Sequence, residues 1–305
     1  MIRFIPRRTI EAFLALFGLS LVVFFVLHLD HGDPARALLG KEWTPQRGAT
    51  LDLKLGLDKP VFVQYLLWMR ALFHVGGLGT IVKHRLPPTL ELLIMSVMVA
   101  LVTSILLAQW QIRSVGSLVD RGVSALTGML SAVPGFVIGS LLLYLLSIHV
   151  TWFPASAVAP RGSGPLEWIR YHILPTTALA LCVIGPWTRQ LRSSLGRVAQ
   201  SDYVRTARSK GMSEARVISR HMRRNALLPL ISLVGLSLPT MMNTLIAIEI
   251  IYGVQGAGTA LIGSLNAILF ANATTVALVF ACLTIFGSMI ADLVYGLVDP
   301  RIQYR

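Results

Sequence analysis

Long apolar runs are the feature that most restricts how this chain can fold. An α-helix needs about 20 mostly apolar residues to cross the hydrocarbon layer of a membrane, where it satisfies its own backbone hydrogen bonds. Only 13% of the 305 residues are charged, against roughly 25% in soluble domains. The sequence therefore predicts an all-α, polytopic membrane protein with about six transmembrane helices. The six runs lie at residues 10–29, 90–111, 123–150, 174–191, 227–252 and 273–298.

The first run follows Arg3, Arg7 and Arg8, as the apolar core of a secretory signal peptide would. It is longer than a signal-peptide core, and no small-x-small cleavage site follows it before Asp30. We therefore expect this run to be retained as the first transmembrane helix.

The distribution of Lys and Arg indicates the orientation of the chain, because their excess marks the cytoplasmic side of short loops. The densest group of cations lies between Arg189 and Arg224. With that group inside, both termini lie in the cytoplasm, as does the basic island, our name for residues 201–229. The formal net charge is +13. Because the cations flank apolar spans, anionic headgroups and cytoplasmic partners explain them better than nucleic acid does.

The predicted spans divide the chain into three parts. Residues 1–29 are a cytoplasmic N-terminus and the first helix, and residues 30–88 are an external segment. That segment is too long for a simple turn, and we expect a small external subdomain with short helices. Residues 89–305 form a five-helix core that carries the basic island.

Prolines interrupt two of the predicted spans. Pro134 lies in the third span and Pro239 in the fifth, where a missing backbone hydrogen bond bends a helix. We expect ordinary curvature at both sites, the alternative being a hinge or a bend that lines a pathway. Gly135 and Gly139 have the spacing of a small-xxx-small face for close helix packing.

The basic island has the pattern of two short helices joined by a glycine turn. Ser201 or Asp202 can cap the start of the first helix. Gly211 follows a basic last turn and is expected to end that helix, because glycine accepts left-handed dihedral angles. Ser213 can cap the second helix.

Apolar residues of the island recur at helical spacing, so each helix is predicted to be amphipathic. Physical chemistry leaves two interpretations open: a basic helix lying on anionic headgroups, or a helix that fits a groove on a cytoplasmic protein. The apolar sides are expected to be Tyr203, Val204 and Ala207 in the first helix and Ala215, Ile218 and Met222 in the second.

The island carries a family resemblance. The run Asp202-Tyr-Val-Arg-Thr-Ala-Arg208, followed by Lys210-Gly211 and later by Arg224-Asn-Ala-Leu-Leu-Pro229, resembles the cytoplasmic coupling loop of ABC-importer permeases. The branch in question carries dipeptides, oligopeptides, nickel and related solutes. Four more motifs resemble that branch in the same order, so the resemblance covers essentially the whole chain. They are Gly32-Asp-Pro-Ala35, Leu55-Gly-Leu-Asp-Lys-Pro60, Arg85-Leu-Pro-Pro-Thr-Leu-Glu-Leu92 and Tyr295-Gly-Leu-Val-Asp-Pro-Arg301.

The first of these motifs, beside a long external segment, is typical of the first of two paired permeases. Two departures stand out. The general loop signature of such permeases is Glu-Ala-Ala-x-x-x-Gly, whereas this chain has Arg205-Thr206-Ala207 and Gly211, without the acidic residue. Residues 251–258 replace the aromatic-Pro-Gly turn that relatives often carry.

The resemblance implies an assembly of two homologous permeases, two cytoplasmic ATPases that use ATP and Mg²⁺, and an external solute-binding protein in a prokaryotic inner membrane. This chain would perform no covalent chemistry and hold no cofactor or metal. Closure of the ATPases would be transmitted through the island to the fifth span, with Gly211 as the turn and Pro229 fixing the exit into that span. Groove-facing or loop-packing contacts would be Tyr203, Ala207, Ile218 and Met222, and electrostatic contacts would be Arg205, Arg208, Lys210, Arg216 and Arg220.

Two acidic residues fall within predicted spans, where a charge costs roughly 2.5–3.5 kcal/mol on insertion scales. For Asp292 we expect an interfacial or interhelical hydrogen bond. For Glu249 that interpretation and a contact with solute or a gate both remain open. Asn243 and Thr244 would add polar lining to the same pathway. We expect Cys182 and Cys282, which lie in apolar runs, to be buried and inert.

Two other classes of membrane protein fit the sequence less well. An intramembrane protease would need a recognisable nucleophile–base, paired-Asp or HExxH arrangement, which the sequence lacks, and it has no P-loop. An ATP-independent secondary transporter would commonly contain inverted repeats, which are not evident. The expected solute is a dipeptide or oligopeptide, with nickel or another small solute as the alternative.

Overall fold

The structure is a computed structural model that describes residues 4–29, 39, 43–56, 58–72, 78–160, 162–267 and 270–298. In these ranges all regular secondary structure is helical, which confirms the all-α prediction. The motif at residues 32–35 and the end of the motif at 295–301 lie outside the described residues.

We number the helices in chain order. The first three are α1 (Phe4–Leu29), α2 (Pro45–Leu55) and α3 (Val61–Leu72). They are followed by α4 (Leu78–Arg113), α5 (Leu118–Ala132), α6 (Gly135–His149), α7 (Pro165–Ala199) and α8 (Asp202–Ser209). The last four are α9 (214–222), which continues directly into α10 (Arg223–Ile251), then α11 (Ala257–Asn266) and α12 (Phe270–Val298). Wider π-helical turns occur at Ile81–Arg85 in α4, Leu143–His149 in α6 and Val217–Met222 in α9.

Four helices, α4, α7, α10 and α12, are long and apolar enough to cross a membrane. The bent pair of α5 and α6 adds a fifth span if the two helices are counted as one. The apolar part of α1 that is described, Thr9–Phe25, is shorter than a full span. These helices give a polytopic membrane protein, with four or five of the six predicted spans supported by length and composition.

The third predicted span is where we expected curvature, and that expectation is wrong. Instead α5 and α6 meet at an angle of 104°. The break follows from Pro134, because the residue before a proline avoids helical dihedral angles. Val133 accordingly has φ −95° and ψ 129°. A new helix then starts, and the Pro134 carbonyl accepts hydrogen bonds from the N–H groups of Val137 and Ile138 at 3.0 and 3.2 Å.

By its contacts the chain falls into two units. The first holds residues 91–253 together with the chain from 286 onward. Its centre is α7, which packs against α5, α6 and α10. Trp187 of α7 is fully buried, and its indole N–H donates to the Ser237 hydroxyl of α10 at 3.0 Å. Hydroxyls of Ser96 and Ser104 on α4 donate to carbonyls of α7. Hydrogen bonds between helices therefore supplement the apolar packing around α7.

The predicted small-xxx-small face is confirmed within this first unit. A Cβ at Gly135 would lie 2.5 Å from the Thr244 methyl group, and one at Gly139 would overlap the Ile248 side chain. The buried Tyr252 hydroxyl donates to the Gly139 carbonyl at 2.9 Å. Because both glycines lack a side chain, the backbone of α6 packs directly against side chains of α10.

The second unit holds residues 2–90 and 254–285. In its first part, α2 begins at Thr44, whose hydroxyl accepts a hydrogen bond from the Arg47 N–H, and Pro45 occupies the first helical position. Phe24 of α1 packs against Tyr65 and Trp68 of α3, with ring centroids 5.3 and 5.5 Å away. The short helices expected between residues 30 and 88 are present in the described ranges.

Candidate functional site

The basic island folds as two helices joined by a glycine turn, as predicted. Helix α8 packs against the π-helical part of α9, and α9 continues without interruption into α10. Both island helices belong to the first unit. The island is therefore joined to an apolar span by a continuous helix.

The turn between the helices is fixed by backbone geometry. Gly211 has φ +72°, a left-handed conformation that other residues rarely adopt. Its N–H donates to the Arg208 carbonyl at 2.9 Å, and the Met212 N–H donates to the Ala207 carbonyl at 3.4 Å. This pair of bonds is a Schellman motif, which closes the end of a helix. The predicted helix stop at Gly211 is confirmed.

The two helices start at the positions predicted from the sequence, but the predicted capping hydrogen bonds do not form. Ser201 and Ser213 both occupy N-cap positions with extended backbones, yet neither hydroxyl caps its helix. The Ser201 hydroxyl instead donates to the Val198 carbonyl at 2.6 Å.

The apolar residues of the island are packed against one another. The predicted stripe in the second helix is wrong in one member, because Ala215 is exposed and Val217 is buried. The π-helical turn explains the change, since it advances the register to five residues and brings residues 217 and 222 onto one face. The buried residues, all at most 5% exposed, are Val204, Ala207, Val217, Ile218 and Met222.

One cation of the island is held internally. Arg208 Nη2 and Nε donate to Glu214 Oε1 and Oε2 at 2.7 and 3.1 Å. Its Nη1 also donates to the Ala199 carbonyl at the end of α7, at 3.4 Å. The Arg208 hydrogen bonds and charge lower the pKa of Glu214 below its usual value. This bidentate pair fastens α8 to the start of α9 across the glycine turn.

The sequence placed Arg208 among the electrostatic contacts, and its pairing with Glu214 was not predicted. The local signal for their pairing is an acid six residues after an arginine with a glycine turn between them. The island therefore contains a paired carboxylate, Glu214, although the first position of the loop signature is Arg205 and not an acid.

The remaining predicted cations are exposed, and with Tyr203 we call them the basic face of the island. Arg205 has 72% of its side chain exposed, and its nearest carboxylate, on the fully exposed Asp202, is 4.0 Å away. Such a pair contributes little in water. Tyr203 is 43% exposed, and its hydroxyl accepts a hydrogen bond from Asn225 at 2.9 Å. The other exposed basic residues of the face are Lys210, Arg216 and Arg220.

Pro229 does not mark the entry into the fifth span, contrary to expectation. It lies inside α10, which starts at Arg223 and itself continues α9. A proline inside a helix removes one N–H donor and leaves the carbonyl four residues earlier without its helical partner. Helices in a membrane bundle tolerate this where neighbouring groups or water satisfy that carbonyl. The exit into the span is a continuous helix and not a turn.

A polar cluster that joins α5 to α7 was not predicted. Asp120 of α5 accepts hydrogen bonds from Arg192 Nη2 at 2.8 Å and from the Gly116 N–H at 3.1 Å. Gln111 Nε2 donates to the same carboxylate at 3.3 Å. Arg192 lies on α7, just ahead of α8. The partners are 72 residues apart, so no local pattern announces this contact.

The structure places the pathway candidates in different environments. Asn243 is exposed, Thr244 is half-buried against Gly135, and Glu249 is completely buried. Asp292 on α12 is half-buried. Cys182 and Cys282 are free thiols that are only partly buried. The three pathway candidates therefore do not form one open surface in this conformation.

Comparison with known proteins gives a family match over nearly the whole chain. The profile described as binding-protein-dependent transport system inner membrane component matches residues 100–304. A second profile, for the N-terminal part of the membrane component of such systems, matches residues 1–90.

Full-length relatives agree with the profiles. The chain is 31% identical to the oligopeptide transport system permease protein AppB of Bacillus subtilis (strain 168), over 100% of both chains. It is 32% identical to the dipeptide transport system permease protein DppB of Escherichia coli (strain K12), again over 100% of both. It is 30% identical to the di/tripeptide transport system permease protein DppB of Pseudomonas aeruginosa (strain UCBPP-PA14), over 100% of both.

These matches and the apolar helices describe a multi-pass inner-membrane protein that works in a transporter assembly. Members of the family are transport permeases and not enzymes, which excludes the protease interpretation. Since one profile covers more than half of the chain and full-length relatives exceed 30% identity, the chain belongs to the binding-protein-dependent transport system inner membrane components, the permease subunits of ABC importers.

Proposed function

We propose that this chain is the permease of an ATP-driven importer of short peptides. The observation that carries the proposal is full-length identity of 31–32% to proteins named as oligopeptide and dipeptide permeases. The finer assembly we propose contains a second homologous permease, two cytoplasmic ATPases that use ATP and Mg²⁺, and an external solute-binding protein. In this assembly both termini and the basic island face the cytoplasm, residues 30–88 face outward, and residues 89–305 are the permease core.

The island would dock on an ATPase through its exposed face. The buried residues Ala207, Ile218 and Met222 would hold its two helices together, so their role would be loop packing. Arg208 would act within the loop through Glu214. The contacts offered to the ATPase would then be Tyr203, Arg205, Lys210, Arg216 and Arg220.

Coupling would run along the helix that connects the island to the membrane. A push on the exposed face moves α8 and α9 together, because Gly211 and the Arg208–Glu214 pair hold them as one body. The motion would enter α10 directly, since no turn separates α9 from α10. Pro229 inside α10 would then be a point of bending and not the exit itself.

The pathway assignment of Asn243, Thr244 and Glu249 remains part of this proposal. In the present conformation Thr244 of α10 lies against Gly135 of α6, and Glu249 of α10 is completely buried. Their contact with solute would require these helices to separate when the pathway opens.

Uptake in the native cell tests the proposed solute. Deletion of this permease is expected to abolish uptake of a radiolabelled dipeptide, and the plasmid-borne chain is expected to restore it. Uptake of radiolabelled Ni²⁺ in the same strains is the comparison. Loss of Ni²⁺ uptake with unchanged dipeptide uptake would assign the importer to the metal.

Copurification and ATP hydrolysis test the proposed coupling. Tagged chain from its native membrane is expected to bring down an ATPase whose activity rises when the binding protein is added. Gly211→Pro replaces φ +72° with the fixed negative φ of proline and removes an N–H donor. We expect the stimulation to be lost, whereas Gly211→Asn, which tolerates the left-handed conformation, should keep most of it. Normal stimulation in an intact Gly211→Pro assembly would contradict the coupling assignment.

A further inference from the structure

A cavity of about 340 Å³ lies in the second unit and is partly open to its surroundings. It is lined by the first turns of α4, by α11 with the turn before it, and by the start of α12. Its remaining lining is apolar or glycine. The polar residues that line it are Thr80, Arg85, Gln255, Thr259, Ser264 and Asn272.

Arg85 supplies the charge of this cavity. Its Nη1 donates to Gln255 Oε1 at 2.8 Å, and that is the only hydrogen bond of the Arg85 side chain to the residues that the structure describes. The acceptor is a neutral amide, and none of the described residues that line the cavity is acidic. A guanidinium carries five N–H donors, so most of them remain available. The cavity is therefore electropositive and rich in unused donors.

The position of Arg85 is fixed by the neighbouring backbone. Arg85 ends the π-helical turn Ile81–Arg85, and its carbonyl accepts a hydrogen bond from the Thr89 hydroxyl at 3.1 Å. The same hydroxyl accepts from the Ala257 N–H at the start of α11, at 2.8 Å. These two bonds join α4 to the start of α11, two of the elements that line the cavity. The backbone from which the guanidinium projects is therefore tied to a second element of the lining.

The lining chemistry selects a class of ligand. A guanidinium with free donors binds a carboxylate through two parallel hydrogen bonds. Hydroxyl and amide side chains such as Ser264 and Asn272 suit peptide N–H and C=O groups. The volume lies at the lower end of the roughly 300–1,000 Å³ range of small-ligand sites. A small molecule with one carboxylate and one or two amides meets all three conditions.

We propose that this cavity binds the C-terminal carboxylate of a short peptide, with Arg85 as the anchor and Gln255 orienting its guanidinium. The inference rests on the proposed peptide import and adds to it a second, Arg-centred contact for the solute.

Thiol chemistry at the cavity tests the proposal. The complete purified assembly is placed in lipid nanodiscs, which expose both faces of the membrane. Ser264→Cys is introduced with Cys182→Ala and Cys282→Ala, and modification of this chain is followed by mass spectrometry. The probes are an anionic reagent, sulfonatoethyl methanethiosulfonate, and a cationic one, its trimethylammonioethyl analogue.

We expect the anionic reagent to react faster than the cationic one. Arg85→Gln should lower that preference about tenfold, the scale on which a focused charge changes local ion concentration. Lys83→Gln, an exposed cation on the same turn that does not line the cavity, is the matched control and should leave the preference unchanged.

Protection by ligand identifies the carboxylate. Dialanine at millimolar concentration should slow modification when Arg85 is present and fail to do so in Arg85→Gln. The C-terminal amide of dialanine should not protect either chain. Equal protection by the acid and the amide, protection by neither, or an anion preference that survives Arg85→Gln overturns the site.

The same nanodiscs separate this proposal from the proposed function. Peptide-stimulated ATP hydrolysis with the binding protein reports whether the assembly handles peptides at all. Stimulation without protection rejects the cavity and retains the importer. Absence of stimulation in an assembly that contains all partners rejects peptide import itself.

Discussion

At the scale of single residues, the Arg208–Glu214 pair governs how the basic island responds to pH. The pKa of Glu214 is lowered in the folded chain, so its stabilising effect is present above the ordinary pKa and is lost as the pH falls through the lowered one. Both side chains are more than a third exposed, so we expect less than about 1 kcal/mol. Glu214→Gln should speed hydrogen exchange at the Gly211 and Met212 amides by at most about fivefold at pH 7.

The pH dependence of that ratio is the decisive measurement. The difference between the two chains should shrink as the pH falls, because protonated Glu214 resembles glutamine. Glu167→Gln, at an exposed acid in the first turn of α7, should leave exchange at Gly211 unchanged. A ratio that stays constant from pH 7 to below the lowered pKa of Glu214 would show that the ion pair does not hold the turn.

Gly211 gives a second prediction at this scale. No atom lies within 4 Å of a Cβ built there, so Gly211→Ala meets only the left-handed backbone strain, which costs about 1–2 kcal/mol. The expected result is faster proteolysis within the island. Gly196→Ala on α7 also has free space but helical geometry, and we expect it to be neutral or slightly stabilising. Equal effects of the two substitutions would remove the turn from its proposed role.

At the scale of elements, the packing of α6 on α10 depends on Gly139. Gly139→Ala would overlap the Ile248 side chain, and overpacking of this kind costs typically 1–3 kcal/mol. Ile248→Val removes the overlapping methyl group, so the double substitution should recover part of the loss in thermal stability of the detergent-solubilised protein. Gly128→Ala on α5, where a Cβ has free space, is the control. Additive losses in the double variant would show that the two helices do not meet at this point.

Elements also show what a sequence can predict. Gly211 was predictable because a helix stop needs only one residue type and its neighbours. The position of the break was predictable from Pro134. Its angle was not, because that angle depends on how α6 packs against α7 and α10, which lie far away in the sequence. The burial of Val217 in place of Ala215 depends on which face of α9 packs against α8, and the local sequence does not determine that face. Asp120 and Arg192 are 72 residues apart, so only the fold brings them together.

At the scale of the whole molecule, orientation can be read by thiol labelling of intact cells. Ser219→Cys lies on the exposed part of the island, and Asp58→Cys lies between α2 and α3. In a chain without Cys182 and Cys282, an impermeant reagent outside the cell should label residue 58 and spare residue 219. Both should react after lysis. The reverse pattern would place both termini outside.

The internal packing of the island has a consequence for how the importer is built. Its buried side chains Val204, Ala207, Val217, Ile218 and Met222 are covered within this chain. In the proposed assembly, a newly inserted permease would therefore present water with a charged, already folded island before an ATPase docks. Docking then requires little ordering of the loop, and the association rate should depend on salt concentration more than on folding. The order in which subunits are synthesised would matter little to assembly.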